Sequence, residues 1–132
     1  MSRFRRSIIG STENEKIVYS MDSWSVTGAT NNQNIVSLSN FSGYKSGKSY
    51  RLTFDYDITT VNDGTNTIRV INAATGAFGA SGIIVNASSS GNYKGSASYD
   101  ITAKADGGMI LRLSISASTV TATIKNLKVV EL

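Results

Sequence analysis

The sequence predicts an all-β protein: a two-sheet antiparallel jelly-roll sandwich of eight or nine strands with a flexible basic N-terminal arm. Three observations lead there. Apolar residues recur at every second position, the period of a strand with one face on a core and one in water. Gly, Asn, Asp and Ser punctuate the chain at short intervals, and proline is absent, so these residues must make all the turns. No stretch of a dozen residues sustains the i, i+3, i+4, i+7 apolar spacing of an amphipathic helix. Many short strands joined by tight turns in one domain mean a sandwich or a barrel.

Residues 1–14 show no period and form the arm; residues 15–132 form the body. The first strands are expected at 16–20, 23–28 and 33–39. The clearest strand is Tyr50 to Ile58, where Tyr50, Leu52, Phe54, Tyr56 and Ile58 alternate with Arg51, Thr53, Asp55 and Asp57. The first set belongs to the core and the second to solvent. Asn62-Asp63-Gly64-Thr65 then reads as a hairpin turn, because Asp and Gly tolerate the positive φ of primed turns. A strand follows near Ile68 and Val70. Ala73 to Gly82, with glycines at 76, 79 and 82, is expected to be a long loop or an irregular edge. Strands resume at 82–87 and 93–101, and Asp106-Gly107 gives a second hairpin signal. Met109, Leu111, Leu113 and Ile115 alternate cleanly, as do Val120, Ala122 and Ile124. Leu127 and Val129 fall on the opposite parity, which predicts a bulge at Lys125-Asn126.

Composition narrows the chemistry. With neither histidine nor cysteine in 132 residues, Cys–His zinc sites, Ser–His–Asp triads and Cys–His nucleophiles are excluded within one chain. The net charge is +4, of which Arg3, Arg5 and Arg6 supply three, leaving a body near neutrality. The basic residues of the body are scattered singly. Gly47-Lys48-Ser49 lacks the upstream glycine and the strand–loop–helix setting of a phosphate loop. No specific nucleic-acid partner is expected. Ser11 to Glu15 interrupt the short apolar run after the arginines, so no secretory signal is read, and no run suits a membrane span. The chain is expected to be made in the host cytoplasm and to have no membrane partner.

Trp24-Ser25-Val26, Gly47-Lys48-Ser49-Tyr50-Arg51-Leu52-Thr53-Phe54 and Thr121-Ala122-Thr123-Ile124-Lys125-Asn126-Leu127-Lys128-Val129 together resemble the jelly-roll modules of the carbohydrate-binding superfamily. In that group a glycine precedes a Y-x-L-x-F strand, and an I-x-N-L/V-x-V strand closes the sandwich. The resemblance spans roughly residues 20–132. The same architecture recurs in tailed-phage virion proteins, as fibres, decoration and auxiliary capsid proteins. It implies either sugar binding through an aromatic platform or assembly on a particle.

Two candidate sites follow. Arg3, Phe4, Arg5, Arg6, Ile8 and Ile9 form an arm suited to docking on a neighbouring subunit by charge-assisted contacts and a small apolar anchor. Tyr44, Phe78 and Tyr93 lie in glycine-rich contexts and are the expected exposed aromatics for a glycan or a protein interface. Trp24 is expected to fill the core. Asp55 and Asp57 stand at alternate strand positions, about 6.6–7 Å apart, the separation of an inverting glycosidase. No apolar wall raises either toward neutrality, so they read as a solvated face, with no catalytic residue assigned. No metal ligand set is assigned and no cofactor is expected, although Asp22, Asp55 and Asp100 leave room for calcium. The resulting expectation is a non-catalytic structural protein of a phage-like particle, in the virion as an oligomer or particle-bound, with other virion or assembly proteins as partners. The alternative is a carbohydrate-binding module that recognises a cell-surface glycan through loop aromatics.

Overall fold

The protein's structure is a computed structural model that describes residues 15–36, 43–74, 77–104, 106 and 109–132, with side chains described for all of these except 72–81. The arm lies outside the described residues. The described residues form eight strands: β1 (Lys16–Ala29), β2 (Gln33–Val36), β3 (Ser49–Val61), β4 (Thr67–Ala74), β5 (Ala77–Asn86), β6 (Gly91–Thr102), β7 (Met109–Ser114) and β8 (Thr119–Glu131). They form two four-stranded antiparallel sheets, sheet A in the order β1-β8-β3-β6 and sheet B in the order β2-β7-β4-β5. Only β4 and β5 are neighbours both in sequence and in a sheet. Every other connection crosses from one sheet to the other, which is the winding of a jelly roll.

That winding corrects the two hairpin expectations. Asn62 to Thr65 leads from β3 in sheet A to β4 in sheet B, and Asp106 stands between β6 in sheet A and β7 in sheet B. The positive φ falls on Asn62, at 70°, and not on Asp63 or Gly64, the residue types from which the turn is expected. Positive φ reverses the chain, but it does not decide which sheet the chain enters next. A further difference concerns strand limits. The segments 16–20 and 23–28 are one strand, continuous but with register shifts between Ile17 and Tyr19 and between Val26 and Ala29. From Ala73 to Gly82, where a long loop or an irregular edge is expected, the edge alternative holds: β5 begins at Ala77, is the outer strand of sheet B among the described residues and breaks register twice against β4. At Gly82 a side chain would run into the Tyr99 hydroxyl of β6, so the glycine there makes room for a ring between the sheets. Of the expected strand 33–39, β2 accounts for 33–36, and residues 37–39 lie outside the described set.

The core sits between the sheets. Tyr50, Leu52, Phe54 and Ile58 of β3 and Val120, Ala122, Ile124, Leu127 and Val129 of β8 meet Ile68, Val70, Leu111 and Leu113 from sheet B. Burying such side chains contributes roughly 1.5–3 kcal/mol each. The parity break on β8 is the predicted bulge: Asn126 takes φ 55°, and the β3–β8 register jumps from Thr53↔Lys128 to Asp55↔Lys125. Two residues of β8 thus oppose the single Phe54. The shift returns Leu127 and Val129 to the inside and leaves Lys125 and Asn126 outside.

At one end of the sandwich three connections are tied by a single buried amide. Asn66 donates from Nδ2 to the Ala87 carbonyl (3.2 Å) and the Ser118 hydroxyl (2.9 Å), and its Oδ1 accepts from the Ser116 N–H (3.3 Å). Gly64 lies so close to the Ser116 carbonyl and the Ser118 hydroxyl that no Cβ fits. This knot fixes how β3, β4 and β8 leave and enter their sheets.

Candidate functional site

Alternation puts one face of sheet A on the core and the other in water. The outer face displays Asp55 and Asp57 from β3, Asn92, Lys94 and Ser96 from β6, and Thr123, Lys125 and Asn126 from β8. Asp55, Asp57, Lys94, Ser96, Thr123 and Lys125 line a groove of about 430 Å³ together with Tyr56 and Gly95. Gly95 shares the inner parity of Tyr93 and Ala97, and a Cβ there would stand 3.0 Å from the hydroxyl oxygen of its cross-strand partner Tyr56.

The two carboxylates are held from several sides. Asp55 Oδ1 accepts from the Ser96 hydroxyl (2.6 Å) and Oδ2 from the Asn126 amide (2.9 Å). The bulge is what aims Asn126 at Asp55, so an irregularity of β8 serves the site. Asp57 Oδ1 accepts from the Asn92 amide (2.8 Å), and Lys94 Nζ stands 3.5 Å from Oδ2. Hydrogen bonds from Ser96 and Asn126 hold Asp55 below the usual carboxylate range. For Asp57 the Asn92 hydrogen bond does the same, aided by Lys94 and Lys125. Both are therefore fixed anions near neutrality. Lys125 reaches Asp57 only through its field, and its ammonium makes no hydrogen bond or ion pair among the described residues.

A second groove of about 380 Å³ continues along the same face, lined by Glu15, Arg51, Thr53, Lys128, Val130, Glu131 and Leu132. Its charges are already matched. Arg51 grips Asp100 through two bonds of 2.7 and 2.9 Å, Lys128 meets Glu15 at 2.9 Å, and Lys16 and Lys48 both stand 3.3 Å from Glu131. Exposed pairs of this kind add little stability.

The expected aromatic platform is not on this face. Tyr44 is 0% exposed and packs its ring 4.7 Å from that of Tyr50, so burial raises its phenol well above the ordinary value. Its glycine-rich setting marks a tight turn, in which the Tyr50 hydroxyl accepts from Lys45 N–H (2.7 Å), rather than an exposed tip. Tyr93 is half-buried on the inner side of β6, and its hydroxyl donates to the Ser89 carbonyl (2.7 Å), fastening the 87–90 connection. Phe78 pairs through its backbone with Ala73, and its side chain lies outside the described set. Arg3, Phe4, Arg5, Arg6, Ile8 and Ile9 lie outside it as well. Trp24 pairs with Ile124 and packs against the core, as its parity requires.

The carboxylates named for calcium are not assembled. Asp22 is on β1 and Asp100 on β6, the opposite edges of sheet A, three strand spacings or about 14 Å apart. No cluster of three metal-ligating side chains occurs among the described residues. No helix among them is long and apolar enough to cross a membrane. The polar groove itself was half legible: alternation puts Asp55 and Asp57 on one face, but Asn92, Lys94, Ser96 and Asn126 join them only through the β6-β3-β8 order.

No family model matches the sequence, and no curated protein matches it. Solved structures do resemble it. BiXyn10A CBM1 in its apo form is 16% identical, with a TM-score of 0.49 over 87% of this chain and 98% of that chain. The CBM22-1–GH10 modules of Clostridium thermocellum xylanase 10B, complexed with xylohexaose, are 11% identical, with a TM-score of 0.49 over 89% of this chain and 29% of that chain. A Bacillus endospore appendage structure, from a family of disulfide-linked pili, is 14% identical, with a TM-score of 0.42 over 98% of this chain and 99% of that chain.

Proposed function

We propose that the protein is a non-catalytic carbohydrate-binding module that takes a glycan along the outer face of sheet A. The observation behind this reading is the groove in which Asp55, Asp57, Lys94, Ser96, Thr123 and Lys125 converge, its two carboxylates already oriented by Ser96, Asn126 and Asn92. A sugar ring presents adjacent hydroxyls, each both a donor and an acceptor. Fixed carboxylate acceptors beside ammonium donors suit such a pair, and groups held in place beforehand lose little freedom on binding.

The same geometry argues against glycoside cleavage. An inverting glycosidase needs one carboxylic acid that keeps its proton near neutrality. Here every neighbour that shifts the two aspartates by hydrogen bond or charge favours the anion. Recognition therefore uses charge and hydrogen bonds across a strand face, in place of the loop aromatics expected from sequence. The virion role rests on the arm, and no described feature favours it.

Affinity electrophoresis through gels containing neutral or acidic polysaccharides tests the proposal. At least one should retard the wild-type chain, while Asp57→Ala and Lys94→Ala should each weaken retention about tenfold, the scale of one lost charge-assisted contact. Retention by none of the polysaccharides, or retention indifferent to both substitutions, would refute it.

A further inference from the structure

We propose that β6 is a pairing edge, and that two copies of the chain join by antiparallel β6–β6 addition centred on Ala97. Among the described residues β6 is the outer strand of sheet A, pairing with β3 on one side only. It runs for 12 residues in unbroken register with β3, from Ser49↔Thr102 to Thr60↔Gly91. The other edges are blunted among the described residues. Strand β1 has two register shifts and a glycine at φ 62°, β2 has four residues, and β5 breaks register twice against β4. Long straight edges with open N–H and C=O groups template another strand, and proteins usually spoil them with bulges, prolines or inward charges. β6 has no bulge, proline or inward charge; its positive-φ glycine, Gly91, stands at its first residue, and its one lysine, Lys94, is on the outer face.

The occupant is set by the strand's own sequence. Two identical antiparallel strands must pair about a residue, because edge-facing backbone groups alternate and opposed residues must face alike. Within Gly91–Thr102 the only charged residues are Lys94 and Asp100. Centring the two-fold on Ala97 sets Lys94 against Asp100 of the second copy, twice by symmetry. The same register opposes Ser96 to Ser98, Asn92 to Thr102 and Gly95 to Tyr99. Glycine thus faces one of the strand's two tyrosine rings, and small hydroxyls meet each other. Lys94 and Asp100 have side chains 72% and 50% exposed, so both can reach across the new seam. Their existing partners, Asp57 and Arg51, would extend each pair into a four-charge row. The product is a continuous eight-stranded sheet with the two outer faces on the same side.

Sedimentation equilibrium of the full chain over a range of concentrations tests this. The wild type should move from 14.0 kDa toward twice that mass. Lys94→Asp places like charges opposite each other at both symmetric positions, and should raise the dimer dissociation constant about thirty-fold. Adding Asp100→Lys to it reverses the pair and should restore association to near the wild-type level. A spin label at Ser98→Cys, in a chain with no other cysteine, should show strong dipolar broadening, since the two Cα atoms would lie about 8 Å apart. Four results would overturn the proposal: a mass of 14.0 kDa at every concentration, association indifferent to Lys94→Asp, no recovery in a folded double variant, or no broadening at Ser98→Cys.

Discussion

Replacing Asn66 by alanine removes one buried amide from the point where three connections meet. The wild-type side chain is fully buried and makes three hydrogen bonds, to Ala87, Ser116 and Ser118. Two of the partners keep another bond after truncation. The Ala87 carbonyl still accepts from the Thr60 hydroxyl at 2.7 Å, and the Ser118 hydroxyl still donates to the Asn62 carbonyl at 2.7 Å. Ser116 is exposed, so water can reach its N–H. The loss is then three net hydrogen bonds at about 1 kcal/mol each, less a part recovered by solvent, or about 2–3 kcal/mol. With about 2.1 cal/mol/K of unfolding entropy per residue, a body of this size should lose about 8–12 °C in Tm. Urea unfolding is the assay: the midpoint should fall while the slope stays constant. Asn66→Asp should be worse, because it sets an anion against the Ala87 carbonyl. A loss below about 0.5 kcal/mol for the alanine variant, the range of an ordinary surface change, would refute the reasoning.

Two further expectations follow from particular atoms. Gly64→Ala drives a methyl into the Ser116 carbonyl and should cost about 1–3 kcal/mol or more, whereas Gly28→Ala, in open space at φ 62°, should cost only the 1–2 kcal/mol of its backbone conformation; paired thermal melts compare them. Among the described residues four carboxyls are lowered in the folded state, those of Asp55, Asp57, Asp100 and Glu131, and the groove's share of the pH profile belongs to Asp55 and Asp57. Their contribution to stability is fully present above the unfolded value of about 3.9 and is lost as pH falls through the lowered ones. Glycan retention should likewise be flat from neutrality to about pH 4 and decline below it. A decline centred near pH 6 would mean that another group controls binding.

Strand alternation is a local property, and it was legible wherever one face is buried: Tyr50 to Ile58, Met109 to Ile115, and the parity break that Asn126 produces. The crossing connections were not, because the residues that permit positive φ are the same in a hairpin as in a passage between sheets. Tyr44 shows the limit of reasoning from context. Glycines on both sides suggest exposure, yet the chain folds the ring onto Tyr50, which lies six positions later. The site was legible only in its β3 half. Asn92 and Asn126 are 34 residues apart in sequence, and nothing local says that both amides will close on the same pair of aspartates.

The central claim is that the outer face of sheet A is a glycan-binding surface. Amide chemical-shift mapping during titration with a retained polysaccharide's oligosaccharides tests it most directly. The account predicts shifts confined to residues 55–57, 92–96 and 123–126, saturating together. Shifts centred on the Tyr44 turn or the 87–90 connection, with the groove residues unmoved, would contradict it.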